Sequence, residues 1–332
     1  MQSPETFPAL DDDTSLQLNA AGDLRHLLTL KGLDRDTLTA LLDEAERFVS
    51  PSGTFAKRSQ SLAGRTIANL FFEPSTRTRA SFDLAGKRLG ADVLNLDVNT
   101  SSRKKGESIL DTIYTLEAMQ VDIMVIRDAS AGVPAYIARH VNDHTSILNA
   151  GEADVSHPTQ GLLDLLTIRQ RLGSFENLSV AIVGDIAHSR VAMSAVQGLQ
   201  TLGVTDIRLV SPPGLAPVAQ DLPNVRIIDK LDDGLRDANV VMALRIQHER
   251  IKDLDGIPDS DEYFANFGIS SERLAIAAPD AIVMHPGPMN RGIEIDSALA
   301  DSARSAITQQ VTNGVAVRMA VLERVSKVMG SS

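Results

Sequence analysis

A chain of 332 residues with ordinary apolar and charged fractions suggests about two domains, each able to bury a substantial core. A net charge of −11, no Trp and few aromatic residues argue against a general nucleic-acid binder, which needs a basic face and stacking platforms. Without Cys there is no disulfide framework, thiolate metal site or catalytic thiol, and no apolar run approaches the ~20 residues that span a bilayer.

Residues 1–22 are polar and acidic, with Asp11-Asp12-Asp13 among them. They read as an arm without a core of its own, removable without loss of the fold, and not as a secretory signal. The simple expectation is a cytoplasmic protein. Asp34 or Asp36 can cap a helix whose Leu38, Leu41, Leu42 and Ala45 share a face. From Arg65 strands and helices alternate: a strand to Phe72, a helix past Phe82, then Asp92–Val98 (strand), Glu107–Gln120 (helix), Val121–Arg127 (strand), Pro134–His140 (helix) and Ser146–Asn149 (strand). A long helix, Pro158–Leu172, follows. The theme restarts with Leu178–Gly184 (strand), Ser189–Leu202 (helix) and strands at Ile207–Ser211, Arg226–Asp229, Asn239–Leu244 and Ala281–Met284. The segment Ala303–Met329 is apolar-periodic and helical. Such alternation predicts an α/β fold of two doubly wound parallel-sheet domains joined by two helices, with the active site in the cleft.

The chemistry gathers where strands end. Ser75-Thr76-Arg77-Thr78-Arg79 falls between the first strand and its helix. A helix start presents N–H groups without internal partners and the positive end of the dipole. Three hydroxyls and two guanidiniums there suit a phosphate, where a simple cap would need one hydroxyl. From Lys57 to Lys105 ten Lys or Arg stand against four acidic residues, so an acidic protein carries a locally basic region fit for a small anion. Arg127 ends another strand. His157-Pro158-Thr159-Gln160 places Pro at the first helical position, His157 at the cap and Gln160 in the first turn. The run Arg103-Lys104-Lys105 reads, from composition alone, as a solvated charged loop. After the strand ending at Gly184, Arg190 opens a helix. Arg245 and Gln247, two apart in an extended stretch, share a face, with Glu249 placed to orient an arginine; a guanidinium is suited to a carboxylate. His285-Pro286-Gly287-Pro288 is a rigid turn after the last strand. Neither G-x-G-x-x-G nor a P-loop occurs, so neither a nicotinamide cofactor nor nucleotide hydrolysis is expected.

Ser-Thr-Arg-Thr-Arg between strand and helix resembles the carbamoyl-phosphate motif of the aspartate and ornithine carbamoyltransferases. The similarity extends through five motifs in order from about Leu27 to Val328. It implies that Ser75, Thr76, Arg77 and Thr78 grip the phosphate of carbamoyl phosphate. Thr78, Arg127 and His157 would bond the carbonyl oxygen as catalytic residues, and Gln160 the amide. Ser101 and Lys105 would reach into a neighbouring subunit's site, although Ser102-Arg103 departs from the family's usual loop. Arg190, Arg245, Gln247 and Lys105 would hold the acceptor, and Gly287 and Pro288 would accept hydrogen bonds from the substrate amides. Ornithine-specific members carry a Cys in this turn and lack the Arg-x-Gln pair, so the expected acceptor is L-aspartate. The product would be N-carbamoyl-L-aspartate, early in pyrimidine biosynthesis.

The resemblance also implies no cofactor or metal, a homotrimer with shared sites, and a possible larger complex with a dihydroorotase-like or regulatory chain. It divides the chain into the arm (1–22), a carbamoyl-phosphate domain (23–157, completed by the helix 303–329) and an aspartate domain (158–302). A carbamoyltransferase for another amino acid and a catalytically silent subunit are the competing readings.

Overall fold

The computed structural model describes residues 7, 14–50, 57–96, 108–218, 222–247, 251 and 257–330. The chain divides into two compact units, residues 1–163 with 312–332 and residues 164–311. Each is built on a sheet whose strands are all parallel.

In the first unit, helix α1 (Arg35–Phe48) starts at Asp34, whose side chain accepts from the Thr37 N–H, and buries Leu38, Leu41, Leu42, Ala45 and Phe48. The sheet contains β1 (Thr66–Phe71), β2 (Asp92–Leu96), β3 (Ile123–Asp128) and β4 (Ser146–Glu152) in the order β2-β1-β3-β4. Parallel neighbours require crossovers, supplied by α2 (Thr76–Arg88), α3 (Ile109–Ala118) and α4 (Val133–Ala138). β3 and β4 are buried throughout, as strands covered on both faces should be. Beyond β4 the chain at Leu27 adds one more pairing: its N–H donates to Ile147 O and its carbonyl accepts from Asn149 N–H.

Two expectations change here. Arg127 does not end β3 but lies one residue inside it, because the strand continues to a buried Asp128 that the apolar run does not announce. The supposed arm is also partly docked. Thr14–Gln17 forms a 3-10 turn, Leu16 packs against the core, and fully buried Gln17 accepts with Oε1 from the N–H groups of Leu28 and Thr29. Removing residues 1–21 would strip two buried donors of their acceptor, so the fold does not stand indifferent to that segment.

The second unit contains β5 (Ser179–Val183), β6 (Asp206–Val210), β7 (Arg226–Ile228), β8 (Val240–Ala243) and β9 (Ile282–Met284), ordered β7-β6-β5-β8-β9. Helix α5 (Pro158–Leu172) leaves the first unit after Leu163. Helix α6 (Arg190–Thr201) joins β5 to β6; α7 (Leu231–Leu235), α8 (Ser260–Phe267) and α9 (Ser297–Ala300) are short additions that periodicity does not announce. Helix α10 (Ile307–Ser326) carries the chain back, entering the first unit at Thr312. There Arg318 is buried with its Cζ 5.1 Å from the Phe82 ring centroid, and Arg324 pairs with Glu44 at 3.0 Å.

Candidate active site

Strand order reverses between β1 and β3 in the first unit and between β5 and β8 in the second. Ligands of open parallel sheets bind beyond the carboxyl ends of strands at such switch points. Among the described candidates, Ser75–Thr78 and Arg127 fall at the first of these places and Arg190, Arg245 and Gln247 at the second, while His157 and Gln160 follow β4 and Gly287 and Pro288 follow β9.

In the first unit the residue after β1 is tied to β3, the Phe72 N–H donating to Arg127 O at 2.8 Å. Ser75 is the extended N-cap of α2, yet its side chain makes no capping hydrogen bond. No acidic residue occupies the first turn of α2, so nothing there offsets the positive helix end. Arg77 and Arg79 are exposed, while Thr78 is buried. Arg127 is buried; its Nη2 pairs with Glu73 Oε1 at 3.0 Å and its Nη1 donates to Ala150 O at 3.1 Å. His157 and Gln160 are also buried, and the His157 carbonyl accepts from the N–H groups of Gln160 and Gly161. Glu152 secures the segment after β3, accepting from Gly132 N–H with one oxygen and from Asn149 Nδ2 with the other. The sequence reading missed Glu73 and Glu152. A signal existed for Glu73: a carboxylate placed between a buried strand and a cationic turn needs a cationic partner.

In the second unit Gly184 directly follows β5 at φ +135°, where a Cβ would stand 2.2 Å from Leu244 O. Only glycine fits this close approach of the β5 and β8 ends. The next residue, Asp185, is fully buried and acts as a hub. Its Oδ1 accepts from the N–H of His188 and from His188 Nδ1 at 2.8 Å, and its Oδ2 accepts from Gln247 N–H at 3.0 Å. Gln247 Nε2 donates to His188 O at 3.0 Å. Arg245 and Gln247 are partly exposed while Ile246 between them is buried in the core, the alternation expected of an extended segment. Arg190 is buried at the start of α6, which Ser189 caps through Ala192 N–H. Fully buried His285 accepts with Nδ1 from Gly287 N–H at 2.8 Å and donates from Nε2 to Glu294 Oε1 at 3.0 Å. Its own N–H donates to Gln310 Oε1 at 2.9 Å. Gly287 has φ +69° and precedes a cis peptide to Pro288. Asp185 and Glu294, the two carboxylates that fix these segments, were not singled out from sequence.

Ser101, Lys105 and Glu249 lie outside the described residues. Among the described residues no group of three or more His, Cys, Asp or Glu side chains could hold a metal ion, and no helix is long and apolar enough to cross a membrane.

The chain is thus a two-unit α/β protein with an anion-suited helix mouth at the switch point of one sheet and a guanidinium-bearing segment at that of the other. Residues 25–170 match the carbamoyl-P binding domain of the aspartate/ornithine carbamoyltransferases, and residues 176–325 match their Asp/Orn binding domain. The chain belongs to the aspartate/ornithine carbamoyltransferase family. Among similar solved structures is the aspartate transcarbamoylase of Trypanosoma cruzi in complex with carbamoyl phosphate, 31% identical over 93% of this chain and 99% of that one, with a TM-score of 0.81. The catalytic subunit of the M. jannaschii aspartate transcarbamoylase is 32% identical over 92% and 98%, with a TM-score of 0.79. The ornithine carbamoyltransferase of Thermus thermophilus is 26% identical over 91% and 98%, with a TM-score of 0.78. Both acceptor types are therefore represented, and the choice between them falls to side-chain chemistry.

Proposed function

We propose that this enzyme transfers the carbamoyl group of carbamoyl phosphate to the α-amine of L-aspartate, an early step of pyrimidine synthesis. The observation that carries the acceptor is the Arg245-Ile246-Gln247 segment, held by buried Asp185 beside the helix that Arg190 opens. Guanidiniums attract the two carboxylates of aspartate and repel the side-chain ammonium of ornithine. Carbamoyl phosphate binds against Ser75, Thr76, Arg77 and Thr78, with Gln160 on its amide; Gly287 and Pro288 receive substrate N–H groups. The neutral amine attacks the carbamoyl carbon, negative charge builds on the carbonyl oxygen facing Thr78, Arg127 and His157, and the C–O bond to phosphate breaks. Phosphate leaves with that electron pair, and its oxygens take the amine proton. Each fixed donor on the developing oxyanion is worth roughly 3 kcal/mol of barrier.

Residues 23–157 with 303–329 serve the first substrate and 158–302 the second. A homotrimer, with Ser101 and Lys105 crossing to the neighbouring site, is the assembly this reading requires. Exposed Leu84 on α2, Leu94 on edge strand β2, Tyr114 on α3 and Met119 at its C-cap are apolar surface that a second copy would cover. A dihydroorotase-like or regulatory chain is a further partner. Turnover of the purified chain with aspartate, ornithine and N-acetylornithine tests the acceptor: aspartate should dominate, and preferential carbamoylation of either alternative overturns the assignment.

A further inference from the structure

The acceptor half-site is braced from behind by Asp185, which fixes Gln247, and by Glu294, which fixes His285. Tyr263, on α8, belongs to the same core. It is fully buried, its ring is stacked on Phe267 at 5.8 Å, and its apolar cluster includes Ile246, next to Arg245 and Gln247, and Ile295, next to Glu294. The segment after α8 is tied to Glu294 itself, since the Ile269 N–H donates to Glu294 O at 3.0 Å.

Two buried polar atoms in this region lack a hydrogen-bond partner among the described residues: the Tyr263 hydroxyl and Glu294 Oε2. Buried polar groups are rarely left so, and these two needs are complementary. A carboxylate oxygen can only accept, and a phenol has a proton to give. Burial, then the charges of Glu294 and Asp185, raise the Tyr263 phenol far above its ordinary value. The hydroxyl thus sits in the field of both bracing carboxylates and stays protonated.

We propose that Tyr263 is a positioning residue for the acceptor amino acid: its hydroxyl donates through one buried water to Glu294 Oε2, and so fixes the Glu294–His285–Gly287 relay that shapes the turn. Glu294 Oε1 already takes His285 Nε2–H and the Asn290 N–H. A donor on Oε2 stops the carboxylate from rotating and keeps the imidazole in the tautomer whose Nδ1 accepts from Gly287. The role rests on the function proposed above, in which that turn receives the substrate.

The test is steady-state kinetics of the full-length Tyr263→Phe enzyme, assayed with the acceptor that the wild type uses. The KM for that acceptor should rise about tenfold, the loss expected for one hydrogen bond to a charged group, while kcat stays within about twofold. Inhibition by inorganic phosphate should be unchanged, because that half-site lies in the other unit. The melting temperature should fall by only a few degrees, since Glu294 Oε2 loses its donor while no large cavity opens. In the Tyr263→Phe/Glu294→Gln double variant the KM should match that of Glu294→Gln alone. A wild-type acceptor KM in Tyr263→Phe, a parallel weakening of phosphate inhibition, or additive effects in the double variant would each overturn the proposal. A wild type that carbamoylates ornithine instead would overturn the acceptor assignment, and the Tyr263 comparison would still be read with ornithine.

Discussion

Two arginines assigned to the phosphate half-site sit in contrasting surroundings, and their substitution should separate chemistry from stability. Arg77 is exposed at the mouth of α2, so Arg77→Ala should lower kcat by about 100-fold or more through lost charge stabilisation, with a melting temperature close to wild type. Arg127 is buried against Glu73 and the Ala150 carbonyl, and Arg127→Ala should lower both turnover and melting temperature by leaving those acceptors unmatched. Near-normal kcat in Arg77→Ala would remove the turn from the active site. His26 offers a different residue-scale test. Burial, then the charge of Arg25, lowers its imidazole from 6.5 to about 3, and its Nδ1 accepts from the Ile147 N–H. The unfolded chain therefore binds a proton below pH 6.5 that the folded chain refuses until about pH 3. Stability from this group is complete above pH 6.5 and falls with pH, by about 2 kcal/mol at pH 5. Denaturant midpoints at pH 7 and pH 5 should differ less in His26→Gln, which keeps an acceptor without titrating. An equal pH dependence would show that the histidine ionises freely in the fold.

At the scale of elements, the join between β5 and β8 is where backbone and site meet. Gly184→Ala forces a side chain into a positive-φ position and against Leu244 O, and should cost roughly 3 kcal/mol in chemical denaturation while raising the acceptor KM. A variant of wild-type stability would mean that the two strand ends separate readily. The sequence made the strands legible because buried parallel strands are written as short apolar runs, and α5 because Pro158 marks its start and its apolar residues recur helically. It blurred the strand ends. β4 extends three residues past the apolar run Ser146–Asn149, since its terminal polar groups are satisfied inside the fold: Asn149 Nδ2 reaches Glu152, and Asn149 Oδ1 accepts from Gly151 N–H. The bracing carboxylates stayed hidden for the same reason. Asp185 and Glu294 look like surface acids until the fold supplies Gln247 and His285 beside them, whereas Glu73 was hinted at by the cationic turn it adjoins. The cationic motifs were legible because their candidate groups cluster in sequence at one turn, whereas the side chains that support them come from distant segments. Tyr263 carried no local signal at all.

For the whole molecule, the shared site proposed above predicts an outcome that no single chain can show. Arg77→Ala and Lys105→Ala enzymes should each be inactive, and should regain part of wild-type activity when dissociated and mixed, because some hybrid interfaces then unite both native residues. Mixing that demonstrably exchanges subunits yet restores nothing would exclude a shared site. The path of the chain has its own consequence. The unit begun by residues 1–163 is completed only by Thr312 onward, and Arg318 over Phe82 and Arg324 on Glu44 belong to that completion. The unit of residues 164–311 is one uninterrupted stretch. On the ribosome the usual order of N-terminal domain first is therefore reversed in its final step. The half that emerges first must wait, partly assembled, until residues from Thr312 onward have emerged, and by then the whole of the continuous unit 164–311 is already outside the ribosome.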